Sequence, residues 1–283
     1  MKLGYSTWGM PTVPINTAMR HLADLGYQGI EITVIPGWIT ELSTLDRAER
    51  QRIVRMAKQY KLAIPAIAAH SSLVETDPTK HAANLARLQG AVDLAVDWAL
   101  DGDLPIIDTT PGGRPEDWPA ILPMLIERTQ TLCDYAQSRG VTIGMEPHVG
   151  AVLNTPERTV EFLKRVDRPN LGLNFDISHF NVMGYSIQQS VAQMAPYSVH
   201  THIKDESGTY PNHQFLIPGE GVFDYVTYLK EMQKAGYRGF ISPEISIMVQ
   251  RRPNYDPLLA ATQTYQVVAK AFDDAGVDRY SAA

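Results

Sequence analysis

Cysteine is nearly missing from this chain: Cys133 stands alone among 283 residues. A lone thiol excludes a disulfide framework, and Cys133, set in the apolar pattern of a helix, reads as a small core residue. Long apolar runs are missing too. No stretch approaches the roughly 20 residues a helix needs to cross a bilayer, so no membrane partner is expected. The opening MKLGYSTWGM reads as a strand and not as a basic region followed by an apolar block. No signal peptide is therefore expected, and the expected location is cytoplasmic. Positive charge is in short supply: 25 Lys and Arg face 31 Asp and Glu, for a formal net charge of −6. A non-specific polyanion binder normally carries a basic face, so nucleic acid is not an expected partner. Low-complexity segments and linkers with a composition shift are also absent.

What is present is ordinary globular composition, 44% hydrophobic and 20% charged. The length suits one α/β barrel or two smaller domains, and the strand count decides between them. Strand patterns fall at Lys2–Gly9, Tyr27–Thr33, Leu62–Ser71 and Pro105–Thr109, and then at 141–148, 171–179, 198–205 and 239–246. Helical patterns fall between and after them, near 14–25, 45–60, 78–99, 117–139, 155–166, 187–195, 223–235 and 256–275. The third of these repeats Leu85, Leu88, Val92, Val96 and Ala99 at helical spacing. The tail GVDRYSAA is expected to fray. Eight strands alternating with eight helices predict one domain, a closed parallel (β/α)₈ barrel over residues 1–283. A doubly wound open sheet is the alternative, but it splays its strand ends apart.

The last four strand patterns share a feature. VTIGMEPH, LGLNFDISH, SVHTHIKD and GFISPEIS each end an apolar run on a group able to bind a metal. In a barrel every strand delivers its carboxyl end to one rim, so Glu146, Asp176, His202 and Glu244 are expected to converge. Side chains alternate along a strand, which pairs Glu146 with His148, Asp176 with Ser178, His202 with His200, and Glu244 with Ser242 and Ser246. Three carboxylates and one imidazole make a mostly hard oxygen site. That favours one divalent ion, Mn²⁺ first, with Mg²⁺, Co²⁺ or Zn²⁺ open. Without a cation such a cluster suffers like-charge repulsion.

The segments GMEPH, FDISH, HTHIKD, PGEGVFDY and PEIS resemble those of the xylose isomerase-like barrels, and the likeness covers essentially the whole chain. That family includes sugar and sugar-phosphate isomerases and epimerases, inosose dehydratases, C-glycoside deglycosidase large subunits and endonuclease IV. The resemblance implies a divalent metal held by Glu146, Asp176, His202 and Glu244. It also implies an acid–base pair, Glu146 and Glu244, acting beside the carbonyl of a small polyhydroxylated substrate through an enediolate. A lyase reaction on a keto-inositol or an oxidised glycoside begins with the same proton abstraction. Two departures bear on the substrate. The ketose 3-epimerase branch carries Glu where this chain has Val152 and Arg where it has Gly208, and both grip free ketohexose there. Lys204 and Asp205 follow His202 instead, as in the broader isomerase, dehydratase and lyase members.

Other rim candidates are His70 after the third strand, His179 from the D-x-x-H pattern, and Trp8 and Trp118 as aromatic walls. His148 and His213 are weaker ones. Arg114 in PGGRP, the PGEG turn at 218–221, and Arg251 with Arg252 could meet an anion. A DNA-repair nuclease on the same barrel would need a histidine after the fourth strand, where Asp108–Thr109 stands, and an Asp-x-His pair after the seventh. Only His213 is available there. A metal-free binding or assembly subunit is the remaining rival. Short rim loops exclude water poorly, so a homo-oligomer or a partner subunit is expected to close the pocket.

Overall fold

The computed structural model describes residues 1–279, and most of its helices start where the sequence supplies a cap. The helices are α1 (Ile15–Leu25), α2 (Arg47–Tyr60), α3 (Pro78–Asp97), α4 (Trp118–Gln137), α5 (Pro156–Val166), α6 (Ser178–Asn181), α7 (Ile187–Met194), α8 (Tyr225–Lys234), α9 (Ile247–Gln250) and α10 (Pro257–Ala275). Asp46, Asp77, Thr155, Ser186, Asp224 and Asp256 each accept from backbone N–H groups of the following first turn. Those donors would otherwise be left open at a helix start.

The strands are β1 (Lys2–Leu3), β2 (Ile32–Thr33), β3 (Ala66–Ala68), β4 (Ile106–Thr109), β5 (Ile143–Met145), β6 (Leu171–Asp176), β7 (Ser198–Ile203), β8 (Asp205–Ser207), β9 (Gln214–Leu216) and β10 (Phe240–Pro243). Eight of them form one parallel sheet in the order β1-β10-β7-β6-β5-β4-β3-β2. The seam between its outer members is closed by parallel bridging of Ser6 to Glu31, with Glu31 N donating to Tyr5 O at 2.9 Å and Thr7 N to Glu31 O at 3.0 Å. The result is a single-domain (β/α)₈ barrel. Helix faces and strand faces share one core, in which Phe162, Phe175, Phe180, Tyr228 and Phe272 are fully buried. Among the described residues no helix is long and apolar enough to cross a membrane.

Several expectations are corrected. The regular strands are shorter than their apolar runs. After β1 the chain stays extended only to Ser6, whose hydroxyl accepts from Trp8 N and starts a 3₁₀ turn over Thr7–Gly9. Pro65 has no N–H for a ladder bond, and β3 begins only after it. On α3 the buried stripe runs through Leu88, Ala91, Val92 and Ala95, which leaves Val96 exposed. The hairpin β8–β9 and the short helices α6 and α9 have no counterpart among the expected elements. The tail is docked as far as it is described: Val277 is buried, the Met1 amino group donates to Asp278 O at 3.2 Å, and Arg279 donates to Tyr265 Oη at 3.2 Å. The rest of the segment expected to fray, 280–283, lies outside the described residues.

Candidate metal centre and cavity

Register places the ligand types at one level. His202 lies opposite Asp176 across β6–β7 and opposite Ser242 across β10–β7, with Glu244 two residues beyond Ser242 on the same face. Glu146 follows β5 directly, its N–H donating to Thr109 O at 2.8 Å. A register shift at Leu173/Asn174 lets the β7 run SVH meet two consecutive β6 residues and keeps His200 level with Asn174. One ligand atom each from Glu146, Asp176, His202 and Glu244 lies within 4.8 Å of the others, and all four residues are buried. A divalent ion about 2.1 Å from each donor would set opposite ligands about 4.2 Å apart, so the group fits one after slight contraction.

His202 is the pivot. Its Nδ1 lies 3.2 Å from Glu146 Oε1 and 3.8 Å from Glu244 Oε1. Lone pairs would repel at that spacing, so either a proton or a cation lies between them. Burial alone would lower the imidazole's pKa, but Glu31, Glu244 and Glu146 hold it well above the ordinary range. Lys204 Nζ is in contact with Asp176 Oδ2 and Glu244 Oε2. Burial would lower its pKa too; Asp176, Glu244 and Glu146 outweigh that and keep it charged. Asp176 is held well below the carboxylate range, because Lys204, His179 and His202 outweigh its burial. It also accepts from Ser178 N at 3.0 Å and Ser178 Oγ at 2.6 Å. The two glutamates part company. Burial pushes Glu244 up to about 7 against Lys204 and His202, whereas burial of Glu146 is outweighed by the His202 hydrogen bond and charge, which lower it.

A cavity of about 350 Å³ opens above this cluster, within the size range of small-molecule sites. Of the four ligand types, Glu146 and Glu244 line it, while Asp176 and His202 lie behind them. Lys204, His70, His148, His179, Trp8 and Phe215 complete much of the wall. Trp8 stacks on Trp38 at 4.6 Å between ring centroids, and the His148 and His179 rings approach to 3.9 Å. His179 Nε2 is 3.5 Å from Asp176.

Other expected residues lie elsewhere. Trp118 is the first residue of α4, packed on the core beneath the Arg158 guanidinium at 5.5 Å, and is not part of the cavity wall. A helix-start aromatic turns toward its own helix layer, which sequence position alone does not reveal. Arg251 is exposed beyond α9 and outside the cavity wall, and Arg252 pairs with Glu220 at 2.8 Å. Arg114 is mostly exposed and paired with Glu116 and Asp117. His213 sits edge-on to Phe215 in the hairpin. The PGEG turn is held by Asp205, which accepts from Gly219 N at 2.7 Å and Phe223 N at 3.1 Å.

Four buried polar residues were not singled out from the sequence as part of the cluster. Glu31 accepts from His202 Nε2 at 2.8 Å, and His200 Nε2 lies 3.1 Å from the same oxygen. The amide Nδ2 of Asn174 lies 3.0 Å from His202 Nδ1. Asp108, with neither carboxylate oxygen hydrogen-bonded, is pushed well above the carboxylate range by burial and then by Glu146. It forms a second close group with His70 and Glu146, their ligand atoms within 4.8 Å. The available signal was an acidic or amide residue inside an otherwise apolar strand.

The sequence profile of the xylose isomerase-like TIM barrel family matches residues 19–265, and the chain belongs to that family. It is 24% identical over 265 residues to fructoselysine 3-epimerase of Shigella flexneri, covering 89% of this chain and 93% of that one. It is 30% identical over 156 residues to inosose isomerase of Bacillus velezensis, about half of each chain. Among solved structures, the IOLI protein with a bound zinc atom superposes with a TM-score of 0.79 at 21% identity over the full length of both chains.

Proposed function

We propose that this member of the xylose isomerase-like barrels is a divalent-metal-dependent sugar isomerase or epimerase that moves a proton at the carbon beside a carbonyl. One observation carries the reading: of the four ligand-type side chains, the two that also line the cavity are the two glutamates. Glu146 and Glu244 stand at the ends of β5 and β10, so they reach a bound substrate from different strands. One removes the proton and the other returns it, and their different environments suit opposite duties. Trp8 and Phe215 offer apolar faces to a sugar ring, while His70 and His179 offer ring nitrogens to hydroxyls.

Glu146, Asp176, His202 and Glu244 would hold the ion, and their three carboxylates and one imidazole favour Mn²⁺. The zinc bound in the IOLI structure supports a divalent ion on a barrel of this kind. Such an ion, when bound, supplies positive charge that stabilises the anion formed on proton loss. A polyhydroxylated carbonyl compound is the substrate class, in keeping with the epimerase and isomerase names of the relatives. A lyase is the second reading, favoured by the Lys204 ammonium in the cavity wall, a donor for a departing hydroxyl or glycosyl oxygen.

The test is turnover in D₂O with Mn²⁺ and a panel of ketoses, keto-inositols and oxidised glycosides. Deuterium should appear at the carbon beside the carbonyl, and the product separates epimerisation from elimination. A substrate that turns over with no exchange and no primary isotope effect at that carbon would overturn the proton-transfer reading.

A further inference from the structure

We propose that Glu31 is a positioning residue for the metal: it receives the Nε2 proton of His202 and so turns the Nδ1 lone pair toward Glu146, Asp176 and Glu244. The inference rests on the metal site proposed above. Glu31 is completely buried at the rim just before β2, and it is not part of the cavity wall, so it does not meet substrate. A buried carboxylate is costly unless hydrogen-bonded, and here two donors and a third nearby nitrogen surround one group. Ser6 Oγ donates to Oε1 at 2.5 Å. His202 Nε2 lies 2.8 Å from Oε2, and His200 Nε2 lies 3.1 Å from the same atom. An ionised carboxylate only accepts, so His202 must carry a proton on Nε2, and Nδ1 is the nitrogen left to ligate an ion. The remaining nitrogen, Nδ1, faces the carboxylate oxygens at 3.2 and 3.8 Å.

A carboxylate behind a ligating imidazole fixes its tautomer and ring plane and makes the free nitrogen a stronger donor to a cation. The same residue also closes the barrel, because Glu31 bridges to Ser6 across the seam. A rival account is that Glu31 only stitches that seam. The two accounts differ in what Glu31→Gln does. Gln keeps the size and one acceptor oxygen but loses the charge.

The experiment titrates Mn²⁺ into the metal-free full chain against a fluorescent chelator, for wild type, Glu31→Gln and Glu31→Asp. Each variant's metal-free melting curve is recorded alongside. The expected result is a Kd raised about 10–100-fold in Glu31→Gln, the usual scale for such partners, with partial recovery in Glu31→Asp. A wild-type Kd in Glu31→Gln, with only the melting curve changed, overturns the proposal in favour of the seam. If the wild type binds no Mn²⁺, the metal site itself is wrong and the positioning role falls with it, a distinct outcome. A second measurement does not depend on any variant folding. In the Zn²⁺-loaded wild type with ¹⁵N-labelled histidine, NMR should show His202 protonated at Nε2 and not at Nδ1. A proton on Nδ1 overturns the proposal directly.

Discussion

Glu146 and Glu244 are the same side chain at the same depth, and only their neighbours separate them. Glu146 accepts from the His202 side and is lowered, while burial prevails at Glu244 and raises it to about 7. Replacing either by Gln preserves volume and one acceptor oxygen while abolishing basicity. Each Gln variant is expected to keep the wild-type circular dichroism and to lose about 10²-fold or more in kcat, the scale of a general acid–base group. A Gln variant within tenfold of wild type would remove that residue from the proton-transfer pair. These two glutamates were legible because each ends an apolar run, and the same holds for Asp176 and His202. Glu31 was not, for a physical reason. Its run, YQGIEIT, goes on for two residues beyond it, so Glu31 looked like a mid-strand residue. In the fold the barrel seam is made by the bridge of Glu31 to Ser6, and the rim begins earlier than the apolar pattern suggests.

Helices were the most legible elements, since capping residues and a 3.6-residue stripe mark both their ends and their buried face. Strands were recognised as elements but drawn too long, because an apolar run does not show where ladder bonding stops. The β8–β9 hairpin left no trace in the sequence pattern: DESGTYPNHQFL is polar and turn-rich, and its strands pair locally at the rim. Yet this hairpin carries Glu206, a buried carboxyl whose Oε2 has no hydrogen-bond partner. Burial pushes its pKa up to about 8, helped by Asp176 and Asp205. A raised folded-state pKa means the folded chain binds the extra proton. Its contribution to stability is therefore complete at acid pH and is lost as pH climbs from the ordinary glutamate range through about 8. Wild type should lose stability to urea between pH 6 and pH 9 relative to Glu206→Gln, with the variant the more stable at pH 9. Parallel pH dependence in the two proteins would show that Glu206 ionises normally.

For the whole molecule, the rim carries the candidate site and also exposed apolar side chains. Ile247 lines the cavity and is still 41% exposed, and Met248 beside it is 44% exposed. We propose that a second copy or a partner chain covers this edge, and light scattering on the purified chain should give a mass above one subunit. A fully active monomer would reject the idea. A bound ion would act on the same scale, because the residues that would hold it come from strands spread around half the barrel. Glu146, Asp176, His202 and Glu244 stand at or beside the ends of β5, β6, β7 and β10, so one ion would tie four strands together. In its absence, buried carboxylates face one another with Lys204 and His202 as their main counter-charges. An ion that binds the folded chain alone, at a hundred times its Kd, stabilises it by about 2.7 kcal/mol. For a chain of this length that is a rise in Tm of roughly 4–5 °C. Stripping the protein with a chelator should lower Tm by about that amount, and Mn²⁺ should restore it. In Asp176→Asn the restoration should fail, since Asn offers a neutral oxygen where the ion needs a charged one. If Tm ignores both chelator and Mn²⁺ in the wild type, the four side chains hold their places through Lys204 and His202 alone, and the cluster is not a metal site.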